Sequence, residues 1–281
     1  SSVRARRRCS FGPAPRAHRK SPCWPRRPRC GCWIGAPAAS AIAMAASLAI
    51  PAYAEGTDRA EVEKIIKEYL IANPEILVDV QNALSAKKEK EEKVAREKAL
   101  SDSSAEIFNA SADAIIGNPK GDVTVVEFYD YNCGYCKRAL TDMDAMVKAD
   151  PNLRFVLKEY PILGEDSVKA HIVAQSFLKL MPDKYGAFHR ELLSGEGRAD
   201  EARAIQVAVA LGAKEEDLRK GMEDPAIGAL FDKNHQLATS LNITGTPSYV
   251  IKDDVVFGAM GADVLSQKVD NVRKCQKTAC T

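Results

Sequence analysis

The sequence predicts an α/β fold built on a parallel β-α-β unit, and three observations support it. Residues 123–129 are almost continuously apolar, which is typical of a strand buried on both faces. A helical stretch to about Lys148 follows, and residues 153–160 have the composition of the next strand. Residues 165–242 then contain several helical patterns and no strand pattern. We therefore expect an all-helical insertion before the sheet resumes.

A β-hairpin and a last helix complete the predicted fold. Two apolar triplets, residues 249–251 and 255–257, are separated by three polar residues, which predicts two short antiparallel strands. The last helix is expected from about Ala262. Within the insertion, the apolar spacing predicts helices that include residues 168–180, 201–211 and 227–241.

Residues 1–54 differ in composition from the rest and predict a secretory signal peptide. They hold ten of the 40 basic residues and no acidic residue, and an Ala-rich apolar run extends from Trp33 to Ile50. Ala52 and Ala54 supply the small residues that a signal peptidase recognises, so cleavage is expected before Glu55. A retained membrane anchor is the alternative. The long Arg-rich start is also consistent with an over-extended reading frame.

Export would change both the charge and the cysteine content. Removing ten of the 40 basic residues leaves 30 against 38 acidic ones, a net charge of −8, and nothing then indicates a nucleic-acid partner. The remaining cysteines are Cys133, Cys136, Cys275 and Cys280. Their even number suits an oxidising compartment, and their close spacings favour two local pairs. We predict a structural disulfide between Cys275 and Cys280, with a second redox pair or metal ligation as alternatives.

Residues 55–112 are predicted to form a helical segment and a charged linker ahead of the main domain, residues 113–281. Apolar residues from Val62 to Leu70 follow one helix face, and a second helix is expected at Pro74. Continuous charge over residues 87–93 favours a solvated linker. Two short helices cannot bury their own apolar face. That face either docks onto the body of the same chain or mediates self-association.

A Cys-x-x-Cys motif, Cys133 to Cys136, lies between the first predicted strand and the following helix. Unpaired N–H groups and the helix dipole at a helix start favour a thiolate, the form that attacks disulfides. We predict that Cys133 attacks and that the more buried Cys136 resolves the mixed disulfide. A zinc site completed by Cys275 and Cys280 is the alternative. No metal ion or other cofactor is expected beside the redox-active cysteine pair.

Two further features are expected near this motif. Glu127 is the one ionisable residue in an otherwise apolar strand; burial would raise its pKa and suit it to pass a proton to Cys136. A glutamate turned to solvent is the alternative. Thr246 and Pro247 precede a strand, where a cis peptide bond in a tight loop is expected. The backbone of Thr246 could then face Cys133 and pair with an extended substrate.

Aromatic residues and histidines near the motif have structural as well as functional interpretations. Tyr129, Tyr131 and Tyr135 either line an apolar peptide-binding surface around Cys133 or pack in the core. The histidines of the insertion lack a convincing ligand spacing and are predicted to be surface residues or hydrogen-bonded ones. They are His171, His189 and His235.

Residues 127–137 and 158–164, the helical insertion and the Gly-Thr-Pro loop together resemble the DsbA-like branch of periplasmic thiol:disulfide oxidoreductases. The resemblance covers about residues 122–275 and implies a thioredoxin fold with a helical insertion, a periplasmic location and secreted client proteins that contain disulfides. It also implies site roles: Cys133 as nucleophile, Cys136 as resolving thiol, Glu127 as buried acid, and Thr246 and Pro247 as the cis-proline loop.

The N-terminal segment, with residues 69–77, looks like the oligomerisation segment of the ScsC group, proteins of the suppressor of copper sensitivity type. That resemblance implies a homotrimer, and the group includes disulfide isomerases. Gly134 and Tyr135 between the cysteines, and threonine before the proline, resemble the isomerase DsbC more than monomeric DsbA oxidases. We expect Gly134, Tyr135, Thr246 and Pro247 to contact substrate.

The predicted function is thiol:disulfide interchange in exported proteins, with isomerisation or reduction favoured. A DsbD-like membrane partner would keep the cysteine pair reduced. A dithiol oxidase that donates its disulfide is the main alternative. A copper-binding or copper-tolerance protein using the same thiols is a further one, since soft thiolates suit Cu(I).

Overall fold

The structure, a computed structural model, describes residues 58–109 and 111–280. The predicted signal peptide, its cleavage before Glu55 and the alternative of a retained anchor all lie outside these residues. Within the described part of the chain, no helix is long and apolar enough to cross a membrane.

Helices and strands follow one another in the predicted order. The chain starts with three helices, α1 (Arg59–Ala72), α2 (Glu75–Asp102) and α3 (Ser104–Phe108). The β-α-β unit comprises β2 (Val123–Tyr129), α4 (Gly134–Ala149) and β3 (Leu153–Glu159), preceded by β1 (Ala114–Gly117). The insertion holds α5 (Glu165–Leu180), α6 (Tyr185–Ser194), α7 (Glu201–Ala210), α8 (Glu215–Met222) and α9 (Pro225–Ser240). The chain ends with β4 (Ser248–Ile251), β5 (Asp254–Phe257) and α10 (Ala262–Cys275).

The strands form one mixed sheet in the order β1-β3-β2-β4-β5. β2 and β3 are parallel, and the other neighbouring pairs are antiparallel. The predicted α/β fold, helical insertion and hairpin are therefore confirmed. β1 was not predicted, because four residues at a sheet edge give too short a pattern to recognise.

Apolar side chains on both faces of β2 explain its continuous apolar sequence. Val125 and Tyr129 pack against α4, α10 and the helical insertion, while Val126 and Phe128 pack against α3 and α9. Because side chains alternate along a strand, Glu127 shares the face of Val125 and Tyr129. Cys136, in α4, belongs to the core that packs on that face.

The charged segment predicted as a linker is part of one long helix, α2. Pairs four residues apart, such as Lys87 with Glu91 and Lys93 with Glu97, stabilise a helix that has little to bury. Contacts with the body begin at Glu92, which accepts a hydrogen bond from Asn242 at 3.3 Å, and end at Leu100, which is buried with Val126 and Phe128. A charged linker can be helical, and these charge pairs account for its helical form here.

An exposed apolar surface, here called the N-terminal stripe, runs along α1 and the first half of α2. It consists of Val62, Ile65, Ile66, Tyr69, Leu77, Val80 and Leu84, each between 37% and 59% exposed. These side chains do not dock onto the body of the same chain, so that alternative is wrong. Self-association remains a prediction.

Candidate redox site

Cys133 is the N-cap residue of α4, directly after the loop that leaves β2. Its backbone N–H donates to the carbonyl of Asp130 at 3.0 Å, which turns the chain into the helix. Cys133 and Cys136 are both free thiols and buried, but Cys133 retains 6% exposure and Cys136 none. Cys133 therefore keeps a small solvent-accessible area, and Cys136 lies one helical turn deeper.

The two thiols have opposite pKa shifts. The pKa of Cys133 is lowered to about 5, first by a hydrogen bond from the Cys136 thiol and then by the Thr246 side chain and the backbone N–H groups of Cys136 and Tyr135. Burial raises the pKa of Cys136 well above its ordinary value, and hydrogen bonding to Cys133 and the charge of Glu127 raise it further. The arrangement favours a thiolate at Cys133 and a thiol at Cys136.

The loop before β4 faces Cys133. The Thr246–Pro247 peptide bond is cis, which confirms the expected geometry. The Cys133 thiol lies 3.1 Å from the carbonyl oxygen of Thr246. The Gly258 N–H donates to the Pro247 carbonyl at 2.9 Å, so the loop is also bonded to the end of the hairpin.

Glu127 is buried, at 3% exposure, so the alternative of a solvent-facing side chain is wrong. It lies opposite Tyr249 in the β2–β4 register. Burial raises the pKa of Glu127 to about 8, helped by the charges of Cys133 and Asp142 and opposed by a hydrogen bond with Tyr249. A carboxyl group with this pKa can hold or release a proton near neutral pH.

Only one of the three tyrosines near the motif lies on the surface. Tyr135 is 60% exposed, and the Arg138 guanidinium lies 4.5 Å from the centre of its ring. Gly134 is exposed as well. Tyr129 and Tyr131 are completely buried and pack in the core, so a surface role for these two is wrong.

Polar residues in the loop before Cys133 bond this loop to the insertion. They were not predicted from the sequence. The buried Asp130 carboxylate accepts hydrogen bonds from the N–H groups of Asn132, Ile162 and Leu163 and from the Ser167 hydroxyl, all between 2.8 and 3.0 Å. The Asn132 side chain exchanges two hydrogen bonds with the backbone of Ala199. The sequence signal that could have indicated them is the presence of two polar residues between a buried strand and the Cys-x-x-Cys motif.

The histidines differ in their surroundings. His171 and His189 are buried and hydrogen-bonded, whereas His235 is exposed. The prediction that each histidine is either a surface residue or a hydrogen-bonded one is therefore confirmed.

Cys275 and Cys280 are joined to each other by a disulfide at the end of α10. The last turns of this helix lie beside Asp122, at the start of β2, because Arg273 pairs with Asp122 at 2.7 Å. Cys133 follows the other end of β2, so the two cysteine pairs lie at opposite ends of the sheet and cannot form one zinc site. Among residues 58–109 and 111–280, no group of three His, Cys, Asp or Glu side chains is arranged to hold a metal ion.

Comparisons with known proteins agree with this geometry. A family model described as DSBA-like thioredoxin domain matches residues 124–270, more than half of the chain. A model described as Copper resistance protein ScsC N-terminal domain matches residues 58–91.

Similar solved structures include a thioredoxin-like oxidoreductase from Silicibacter pomeroyi, which is 41% identical with a TM-score of 0.58; the match covers 61% of this chain and 98% of that one. A linker-deletion mutant of Proteus mirabilis ScsC is 26% identical with a TM-score of 0.60, over 80% of this chain and 99% of that one. Disulfide bond formation protein D of Bacillus subtilis is 24% identical over 172 residues, 57% of this chain and 77% of that protein. The chain therefore belongs to the DSBA-like thioredoxin domain family and is a thiol-disulfide oxidoreductase of the DsbA and ScsC type.

Proposed function

We propose that the chain is a disulfide isomerase or reductase in which Cys133 attacks and Cys136 resolves. The observation that carries this proposal is the unequal setting of the two sulfurs. With its pKa at about 5, Cys133 is a thiolate at neutral pH, while the raised pKa of Cys136 keeps that residue protonated. Only the thiolate attacks a disulfide, so each cysteine has the role that its setting allows.

The reaction begins when the Cys133 thiolate attacks one sulfur of a client disulfide. The client S–S bond breaks, its other sulfur leaves as a thiolate, and a mixed disulfide forms. In isomerisation a different client thiolate attacks this mixed disulfide, which releases Cys133 as a thiolate and leaves a new client disulfide. No net electrons are then transferred.

Reduction follows when Cys136 resolves the mixed disulfide instead. When Cys133 is bound in the mixed disulfide, its charge no longer raises the pKa of Glu127, and the ionised form of that carboxyl takes the proton of the Cys136 thiol. The Cys136 sulfur attacks that of Cys133, which releases the reduced client and leaves a Cys133–Cys136 disulfide. We assign re-reduction of that disulfide to a DsbD-like membrane partner, whose own dithiol supplies the two electrons and is oxidised to a disulfide in the exchange. Glu127 suits the proton transfer because it is buried on the face of β2 against which the core around Cys136 packs.

Clients, which we take to be secreted proteins with disulfides, would bind across the surface formed by Gly134, Tyr135 and Thr246, where the buried Pro247 shapes the loop beneath them. The exposed Tyr135 ring offers apolar contact next to Cys133, and the Thr246 backbone lies 3.1 Å from the Cys133 sulfur. An extended client segment beside Thr246 would bring its disulfide to the nucleophile.

Residues 55–112 are proposed to assemble the protein as a homotrimer around catalytic domains formed by residues 113–281. The exposed N-terminal stripe and the ScsC N-terminal match support this assembly. Several active sites around one client raise the effective concentration for repeated attack, which isomerisation requires. Residues 1–54 are proposed to direct export to the periplasm and to be cleaved before Glu55.

Reactivation of scrambled ribonuclease tests the proposal. Residues 55–281, supplied in catalytic amount in a glutathione buffer, should restore activity to the scrambled enzyme, and Cys133→Ser should not. Rapid oxidation of reduced ribonuclease without reactivation of the scrambled enzyme would instead establish an oxidase.

A dithiol oxidase is the second candidate, and the low pKa of Cys133 favours it. A stabilised thiolate stabilises the reduced protein and makes its disulfide a stronger oxidant. The relative named Disulfide bond formation protein D is consistent with that activity. Alkylation of thiols after rapid acid quenching of cells distinguishes the two, because an isomerase is held mainly as the dithiol and an oxidase mainly as the disulfide.

A further inference from the structure

Buried polar side chains connect the helical insertion to the loop that precedes Cys133. They come from β2, its following loop, β3, α5 and α6, and each is at most 1% exposed: Tyr129, Tyr131, Glu159, His171, Gln175, Tyr185 and His189. Burying a polar group without a partner is costly, so such a cluster persists only if its groups bond to one another. In this cluster, the donor and the acceptor of the central hydrogen bonds can be assigned.

The assignment of donors and acceptors begins with a backbone N–H group in the loop. The Tyr131 N–H donates to Nε2 of His171 at 3.3 Å, so Nε2 carries no proton. The proton of the imidazole is then on Nδ1, which donates to Oε2 of Glu159. His171 therefore joins the loop before Cys133 to the end of β3 through its two ring nitrogens.

Glu159 keeps this tautomer in place. Its other oxygen, Oε1, accepts from the Tyr185 hydroxyl at 2.8 Å and from Nε2 of Gln175 at 3.0 Å. Although burial raises the pKa of Glu159, the net shift is downward because His171, Gln175 and Tyr185 stabilise the charged form. The ionised Glu159 favours a donor at Nδ1 of His171, and the Tyr131 N–H places the acceptor at Nε2.

The bond to Tyr131 matters because this residue leads directly into the redox motif. Tyr131 lies two residues before Cys133, and the N–H groups of Tyr135 and Cys136 that face the Cys133 sulfur belong to the first turn of α4. A displacement of the loop moves these donors relative to the sulfur.

We propose that His171 is a positioning residue of the redox site, which holds the Tyr131 N–H so that the first turn of α4 keeps its donors on Cys133. The inference rests on the proposed role of Cys133 as the attacking thiol. It assigns the helical insertion a part in the chemistry, since α5 supplies the side chain that fixes the redox loop.

Two substitutions separate the halves of this contact. In His171→Gln the amide oxygen can occupy the Nε2 position and still accept from Tyr131, whereas His171→Asn places its amide near Nδ1, where it can donate to Glu159 but cannot reach Tyr131. Ser176→Ala is the matched control, because Ser176 is buried on the same helix and donates to the Leu218 carbonyl, away from the loop.

Thiolate absorbance at 240 nm, followed against pH in the reduced protein, reports the ionisation of Cys133. The titratable groups that interact with Cys133 are Cys136, Glu127 and Tyr249. Carboxylate ionisation does not produce this thiolate signal, and burial raises the pKa of Tyr249 well above its ordinary value, so its ionisation lies outside the titration. We expect His171→Asn to raise the midpoint by about one pH unit, and His171→Gln to stay closer to the wild type. The equilibrium with glutathione should shift about tenfold towards the protein disulfide in His171→Asn, since one pH unit corresponds to a tenfold change.

Each outcome bears on the proposal. An unchanged midpoint in His171→Asn, equal shifts in the Asn and Gln variants, or the same shift in Ser176→Ala would overturn it. If His171→Asn does not fold, Glu159→Gln should raise the midpoint in the same direction, and an unchanged value there overturns the proposal. A 240 nm transition that persists in Cys133→Ser would instead refute the assigned role of Cys133.

Discussion

The N-terminal stripe and the surroundings of Cys133 depart from ordinary burial in opposite ways. In the stripe, Ile65 and Tyr69 are 56% and 58% exposed, although apolar residues are usually inside. Around the redox site, Glu127, Glu159 and His171 are almost completely buried, although ionisable residues are usually outside. The stripe lacks partners within the described chain, whereas the buried polar groups have them.

The difference separates assembly from chemistry. A buried ionisable group is costly unless neighbours stabilise it, so the network around Glu159 is held by contacts within one chain. An exposed apolar face is stabilised when a second surface covers it, so we expect the stripe to bind another molecule. If this is correct, variants of the two regions should fail in different assays.

The largest effect is expected at the cysteine pair. Cys133→Ser should lower disulfide exchange by about three orders of magnitude or more, because it removes the nucleophile. Cys136→Ser should still attack a client but accumulate a mixed disulfide. Non-reducing gel electrophoresis after acid quenching, with mass spectrometry of the trapped species, measures both.

Thiol labelling provides an independent check on these roles. At mildly acidic pH, iodoacetamide should modify Cys133 first, because the pKa of Cys133 lies at about 5 while that of Cys136 is raised. Preferential modification of Cys136 would reverse the assignment.

The next effect concerns the stripe. Ile65→Glu with Tyr69→Glu places charges on an apolar surface and should weaken self-association by about a hundredfold or more, since burying an unpaired charge is costly. Light scattering should show a trimer for residues 55–281 and a monomer for the variant. The variant should lose reactivation of scrambled ribonuclease and keep, or gain, oxidation of reduced ribonuclease.

Lys67→Glu is the control, because Lys67 is exposed on the opposite side of α1. It should leave assembly and isomerisation intact. A wild-type protein that is monomeric in solution would contradict the proposed assembly, and a monomeric variant that still isomerises would separate assembly from activity.

Local patterns predicted the catalytic half of this comparison well. The buried strand, the motif at a helix start and the cis Thr246–Pro247 bond each depend on a few adjacent residues, and the structure contains all three. The Glu159–His171 contact was beyond reach because two elements separated in sequence meet there only after packing. Whether the charged part of α2 is helical could not be decided for another reason: an apolar pattern cannot reveal a helix that is stabilised by exposed charge pairs.

A smaller effect should appear in the pH dependence of stability. The pKa of Glu127 is raised to about 8 in the folded protein and should be close to 4.5 when unfolded. Between these values the folded state holds a proton that the unfolded state has lost, so stability present below about pH 4.5 falls as pH rises towards 8. Glu127→Gln should remove this fall, with a gain on the order of a few kcal/mol at pH 8 and little at pH 4.

Urea unfolding of the reduced protein between pH 4 and 8.5 measures this difference. Glu191→Gln, on the exposed surface of α6, serves as the control and should change stability little at any pH. Equal stability of wild type and Glu127→Gln across the range would show that the Glu127 carboxyl is not kept protonated by burial.

The smallest effect on activity is expected at the C-terminal disulfide. Cys275 and Cys280 are exposed and lie at the opposite end of the sheet from Cys133, so they cannot exchange with that thiol within one chain. Their double substitution by serine should lower stability by about 2 kcal/mol at most, because the closed loop is short and constrains the unfolded chain little. Hydrogen bonds from the backbone and hydroxyl of Thr278 to Asp253, both at 3.0 Å, should keep the end of the chain attached without the disulfide. Exchange rates should therefore remain within about twofold of the wild type, measured with a fluorescent disulfide substrate, while urea unfolding records the loss of stability. A large loss of exchange in a variant that is still folded would mean that this disulfide relays electrons between molecules, and the alternative of a second redox pair would replace the structural one.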